Sequence, residues 1–270
     1  MRQLIPRRIS TVLCVSTLLL LEYGIGTSSA FAGVVFLGPV PYLSERDSPF
    51  LNGDVSGGVF REFFLEDFED GELNTPGVYY PLLPLTHPGV VAPSPFTDSV
   101  DGDSGPIDGD GISGHSLRSR TSVATASDPP QVMWFIRFAF DRDELGYLPN
   151  TFGFVWTDGV QDSTVKIDLF DEDSNIFATH KYSEFFGDEF FTGTTPEDRF
   201  VGVVSDREIF SVQITSRHVG QGPAFEMDHL QYGLLVPEPN GTMMFLIGVF
   251  CLALRQHRTK RQSSVAVSGR

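Results

Sequence analysis

The sequence predicts an all-β protein: a jelly-roll-type β-sandwich flanked by an N-terminal signal helix and a C-terminal transmembrane helix. Three observations predict the sandwich. Several segments alternate apolar and polar residues with a period of two, as half-buried strands do. The 27 Gly and 18 Pro fall with Asp and Asn in clusters that punctuate those segments. No window of the body repeats at the helical period, and the chain's 24 Phe supply bulk for two facing sheets.

The strands follow in order. Val59 to Leu65 (VFREFFL) is an apolar strand that ends in an acidic turn. Gln131 to Phe140 (QVMWFIRFAF) alternates, with Trp134, Ile136, Phe138 and Phe140 on one face. Thr164 to Phe170 turns Val165, Ile167 and Leu169 inward, and Lys166 and Asp168 outward. Ile209 to Thr215 sets Phe210, Val212 and Ile214 on one face. Thr151 to Thr157, Arg199 to Ser205 and Ala224 to Leu234 read as further strands, and Asp171 to Asn175 as a hairpin turn. Residues 72–130 read as long acidic Gly/Pro loops with one short strand near Ser116 to Val123. Residues 33–58 read as a loose N-terminal segment, so the sandwich spans 59–235. No internal repeat is visible, which argues against a propeller or solenoid.

Composition removes several function classes. The 270 residues carry 35 acidic and 19 basic side chains, a net charge of −16, so a run of phosphates finds nothing to neutralise it and nucleic acid is no partner. Two Cys exclude a disulfide scaffold and a thiolate zinc site. A hydrophobic share of 41% is enough for a buried core.

The two ends read as addresses. In residues 1–32, Arg2, Arg7 and Arg8 precede the apolar run Val12 to Leu21, and Ala30-Phe31-Ala32 forms an A-x-A signal with cleavage after Ala32. The apolar run is about half of the roughly 20 residues a spanning helix needs, which favours a signal peptide over an anchor. At the other end, Val236-Pro237-Glu238-Pro239 precedes the apolar stretch Thr242 to Leu254. The basic cluster Arg255, Arg258, Lys260 and Arg261 follows, and it stays cytoplasmic by the positive-inside rule. This order over residues 236–261 is similar to the PEP-CTERM sorting tail of Gram-negative exported proteins. The resemblance implies Sec export, transient residence in the inner membrane, and processing by an exosortase-type enzyme. The cell surface or extracellular matrix would be the destination. A polar tail, 262–270, follows the cluster.

Both Cys, eight of the basic residues and two of the acidic ones lie in these ends. Residues 33–236 therefore hold 33 acidic and 11 basic residues, a net charge of −22. An exported domain without disulfides relies on its core, on bound ions, or on both.

Four motifs are candidate sites. Glu66-Asp67-Phe68-Glu69-Asp70-Gly71 closes the first body strand, and Met227-Asp228-His229-Leu230 lies in the last. With Glu66, Glu69, Gly71 and Asp228, the body resembles jelly-roll carbohydrate-binding modules. The resemblance implies that carboxylates from the first and last strands meet around a structural Ca²⁺. Calcium takes six to eight oxygen ligands, and clustered carboxylates repel each other until a cation arrives; a solvated acidic turn is the alternative. The loop DSVDGDSGPIDGDG offers Asp101, Asp103, Asp108 and Asp110, as a second calcium site or as a plain acidic loop. It is no EF-hand, because Gly105-Pro106 breaks the ligand series. In Trp156-Thr157-Asp158-Gly159, Trp156 either stacks on a sugar while Asp158 binds a hydroxyl, or Trp156 is core and Asp158 a turn.

Catalysis finds little support. No two body histidines have metal-ligand spacing, and Gly111-Ile112-Ser113-Gly114-His115 lacks the last Gly of a nucleophile elbow. The sequence thus predicts a noncatalytic surface or matrix protein associated with extracellular polysaccharide. A structural or adhesive coat protein, and a glycan hydrolase or lyase on a jelly roll, are the alternatives.

Overall fold

The computed structural model describes residues 33–52, 55, 58–81, 88–94, 97, 99–100, 114–119, 121–124, 131–158, 164–183, 198–219, 224–237 and 249–250. Contacts divide the chain into two units, Phe31–Val236 and, separately, Met1–Ala30 with Pro237–Arg270. The strands belong to the first, apart from the final residue of the last strand.

They are β1 (Val34–Pro41), β2 (Gly58–Glu66), β3 (Val78–Tyr79), β4 (Gly89–Val91), β5 (Ser116–Arg118), β6 (Thr121–Ala124), β7 (Gln131–Phe140), β8 (Thr151–Asp158), β9 (Thr164–Phe170), β10 (Ile176–Tyr182), β11 (Arg199–Ser205), β12 (Ser211–Val219) and β13 (Glu226–Pro237). Sheet A runs β1-β11-β8-β13-β5-β4, with β2 also on β13. Sheet B runs β10-β9-β12-β7-β3, with β6 also on β7. The main core lies between the sheets. Ile136, Phe138 and Phe140 of β7 and Val165, Ile167 and Leu169 of β9 meet Phe152, Phe154 and Trp156 of β8 there. Alternation in β7 and β9 and the short apolar run of β11 made these strands readable, and their observed ends coincide with the predicted ones.

Three expectations change. The segment 33–58 is not loose. Its first part is β1, paired with β11 from Val34↔Ser205 to Pro41↔Arg199. Gly38, Pro39 and Pro41 disguise it, but an edge strand pairs on one side only, so a missing N–H is tolerated there. Its second part covers the outer face of sheet A, where Tyr42, Phe50 and Val55 form a second core with Val155, Phe200, Val204 and Leu235. Gly153 and Gly202 face each other across β8 and β11. A Cβ on either would meet the Phe200 ring at 2.6 and 2.7 Å, so the glycine pair seats that ring.

The second change concerns residues 72–130, which hold four short strands rather than one. β5 joins sheet A and β6 joins sheet B, so the predicted strand at 116–123 is a crossing between sheets. Buried Ser119 fixes the crossing: its N–H donates to Phe225 O at 3.0 Å and its Oγ accepts from Phe225 N at 3.1 Å. The third change is Asp168. It faces outward as expected, yet it is 2% exposed, because Lys166 Nζ at 2.5 Å and the Thr179 hydroxyl at 2.7 Å close over it.

The hairpin turn is as read. Asp171 Oδ1 accepts from Asn175 N at 2.9 Å, and Ser174 takes φ 62. Ala30, Ala32, Glu238, Pro239, Arg255, Arg258, Lys260 and Arg261 lie outside the described residues. Among the described residues, no helix is long and apolar enough to cross a membrane. Val236 and Pro237 end β13, the first half-buried and the second exposed.

Candidate functional site

The acidic turn after β2 is built by its own carboxylates. Glu66, buried, accepts from Phe68 N through Oε1 at 3.0 Å. Its Oε2 accepts from Asn74 N and Thr75 N at 3.0 Å each and from the Thr75 hydroxyl at 2.5 Å. Asp67 Oδ1 caps Glu69 N at 3.1 Å, and Asp70 Oδ1 caps Glu72 N at 3.0 Å. Gly71, at φ 83, closes the turn with its N–H on Phe68 O at 2.8 Å. Phe68 itself, at φ 58, is fully buried in the main core. Glu66 therefore folds back on the turn instead of reaching across the sandwich.

Glu69 does reach across. Its Oε1 accepts from His115 N at 2.9 Å, just before β5, and its Oε2 lies 3.4 Å from His115 Nδ1. Asp228 approaches the same corner from β13. A β-bulge between Asp228 and Gln231, with His229 at φ 44, turns Asp228 and Gln231 to the outer face of sheet A. Asp228 Oδ2 accepts from Val100 N at 2.9 Å, and Oδ1 from His229 N at 2.6 Å. Burial pushes the Asp228 carboxyl well above the usual carboxylate range, and the charges of Glu69 and Asp67 push it further. Of the predicted metal residues, Glu69 lies near enough for its charge to act on Asp228, as does Asp67, while Glu66 is taken up by its own turn. Asp101, Asp103, Asp108 and Asp110 lie outside the described residues. Among the described residues, no group of three His, Cys, Asp or Glu side chains is arranged to hold a metal ion.

Trp156 is corrected as a ligand contact. It is 1% exposed and stacks on Phe225 at 4.8 Å between centroids, 12° from parallel, so no sugar reaches its face. Asp158 ends β8 with its backbone opposite Glu226. Buried Glu226 ion-pairs with Arg118 and accepts from Ser116 Oγ at 2.7 Å.

Sequence reasoning missed a polar network beside Asp228. Ser48 Oγ donates to Gln231 Oε1 at 2.5 Å, and Gln231 Nε2 donates to Tyr42 Oη at 3.2 Å. The Tyr42 hydroxyl then lies in hydrogen-bond contact with His229 Nδ1, at 2.9 Å. Burial drives the His229 pKa from its ordinary 6.5 down to about 4, against a smaller upward pull from Asp67. This network pins the covering segment 42–50 to sheet A. Only the long-range pairing of β1 with β11 brings Tyr42 to His229, so no local pattern marked it.

A pH dependence follows. A histidine whose folded pKa is depressed contributes stability that is full above its unfolded value and is lost as pH falls. In EDTA, wild type should lose stability relative to His229→Gln as pH falls from about 6.5 to about 4, and hold a constant difference above. Asp228, raised, acts in the opposite direction but is common to both proteins. Urea midpoints against pH check this; a flat difference across the window would refute it.

No family model matches the chain, and no curated protein matches it significantly. Solved structures similar to it include the enzymatically active domain of tailspike protein 4 of bacteriophage CBA120. The identity is 12% and the TM-score 0.32, over 63% of this chain and 21% of that one. TmCBM61 in complex with β-1,4-galactotriose gives 13% and 0.32, over 64% and 95%. The K2 cleaved adhesin domain of Lys-gingipain gives 9% and 0.32, over 64% and 98%. Superposition at this level says nothing of ligand or activity.

Proposed function

We propose that the chain is an exported, noncatalytic protein of the cell surface or extracellular matrix that holds extracellular polysaccharide on a jelly-roll-type sandwich. The observation that carries the reading is the outer face of sheet B. Its register sets Thr179, Asp168, Gln213 and Arg137 in one row across four strands, and Lys181, Lys166, Thr215 and Phe135 in the next. A sheet holds such rows rigid at a strand spacing of about 4.8 Å. Donors and acceptors at that repeat suit a chain of sugar hydroxyls, and half-buried Phe135 offers an apolar edge. Glu66, Asp168, Glu226 and Asp228 are meanwhile held by backbone amides, a lysine or an arginine, which suits structure better than acid–base work.

Export rests on the signal segment ending at Ala32 and on the tail from Val236 through Arg261, which fit Sec transport and an exosortase-type enzyme. A structural Ca²⁺ is part of the proposal. No three of the described side chains form a metal site by themselves; the support for the ion is that the charges of Glu69 and Asp67 act on the buried Asp228, which a cation would relieve. Glu69 and Asp228 would hold it.

Affinity electrophoresis of the full chain on neutral and acidic polysaccharides tests this, with Ca²⁺ and then EDTA, beside a reducing-end assay. Retention without release of reducing ends is expected, with a melting temperature that falls in EDTA. Retention by no polysaccharide would leave a structural or adhesive coat protein. Released reducing ends would make it an enzyme.

A further inference from the structure

We infer that the outer face of sheet B receives an anionic polysaccharide, one bearing uronate-type carboxylates. The inference rests on the polysaccharide reading above and names its substrate class. Residues 33–236 carry 33 acidic and 11 basic side chains. Four of those 11 stand on this one face: Arg137, Lys166, Lys181 and Arg217. Across its described rows, Asp168 is the one carboxylate, and Lys166 neutralises it at 2.5 Å.

The placement is costly for the free protein. Lys166 and Lys181 are direct cross-strand partners, and like charges so placed are destabilising, a repulsion that Asp168 offsets on the Lys166 side alone. Arg217 lies on the adjacent strand, opposite Thr164 and two residues along from the Lys166 row, and is exposed, as is Lys181. An anion laid between these groups relieves the repulsion. Gln213, Thr215 and Thr179 surround them with neutral donors and acceptors for hydroxyls. Arg137 lies half-buried, its guanidinium 4.1 Å over the Phe170 ring and bonded to Ser211 Oγ at 2.8 Å, so it is a fixed charge. A polyanion is repelled by the rest of the body and meets favourable potential here. A neutral glycan would need none of these cations.

The test uses polygalacturonate as probe and dextran as the neutral reference, with the full chain in affinity electrophoresis. Lys181→Glu with Arg217→Glu should weaken polygalacturonate retention by about tenfold or more, since like charge then faces the ligand. Lys181→Gln with Arg217→Gln should weaken it less, and a melting temperature at or above that of wild type will show that folding is intact. Arg46→Glu, an exposed change on the segment that covers the outer face of sheet A, should stay within about twofold, because the sandwich separates it from the outer face of sheet B. Retention should fall with NaCl and survive EDTA. Equal retention by the double charge-reversal variant, or loss in EDTA, overturns the inference. Retention on dextran but not polygalacturonate overturns it and leaves the polysaccharide reading standing; retention on neither overturns both. Salt-sensitive self-association abolished by the same double variant would assign the face to a second, acidic copy of the chain and overturn it as well.

Discussion

Trp156→Ala should destabilise the sandwich by about 3–5 kcal/mol, the cost of emptying a fully buried aromatic site that cannot collapse around the void. Trp156 points into the space between the sheets, and its indole lies flat on Phe225. Phe225 in turn is locked by Ser119, whose backbone and hydroxyl bond it at the point where the chain crosses from sheet A to sheet B. The void would therefore loosen the β5–β6 crossing together with the core. Against a typical domain stability of about 5–15 kcal/mol, such a loss is a large fraction. Urea denaturation measures it. Trp156→Phe should keep most of the stacking and cost much less. The pair also separates structure from recognition: polysaccharide retention should be unchanged in Trp156→Phe. A stable Trp156→Ala protein that had lost retention would return the indole to the ligand.

What could be read from the sequence depended on range. β7 and β9 were legible because their inward residues recur at every second position, and β11 because it is an apolar run of strand length bounded by polar residues. β1 was not, since its prolines are allowed only by an edge position that no local signal announces. The bulge at His229 was hidden for a related reason. Two polar residues in a row, Asp228 and His229, interrupt the alternation from Met227 to Tyr232, and only the partner register against Val155 and Gly153 shows that an extra residue sits there. The carboxylate corner was half legible. Acidic residues near the first and last body strands do converge, but through Glu69 and Asp228, because residue spacing cannot say which way a glutamate at a strand end will turn. Asp168 makes the same point about exposure: alternation told its face, while Lys166 and Thr179 determined its burial.

Glu66→Ala should cost about 3 kcal/mol or more, and it bears on the metal question directly. Three backbone N–H groups, from Phe68, Asn74 and Thr75, converge on this one carboxylate. Removing it leaves donors without their acceptor at the root of the turn, each worth about 1–3 kcal/mol where water cannot replace it. The same turn holds Phe68 in the core at a positive φ, so its loosening spreads inward. Glu66→Gln keeps one acceptor oxygen but sets an amide NH₂ among N–H donors, and about half of the loss should remain. Both changes are read as shifts in urea midpoint. The rise in melting temperature with Ca²⁺ should survive Glu66→Gln and disappear in Glu69→Gln or Asp228→Asn. The reason is geometric: both oxygens of Glu66 are already engaged by its own turn, whereas Glu69, from the turn after β2, and Asp228, from β13, face away from that turn's amides. Loss of the calcium response in Glu66→Gln alone would place the ion at the strand end instead, and Glu66 would then be a ligand that also builds its turn.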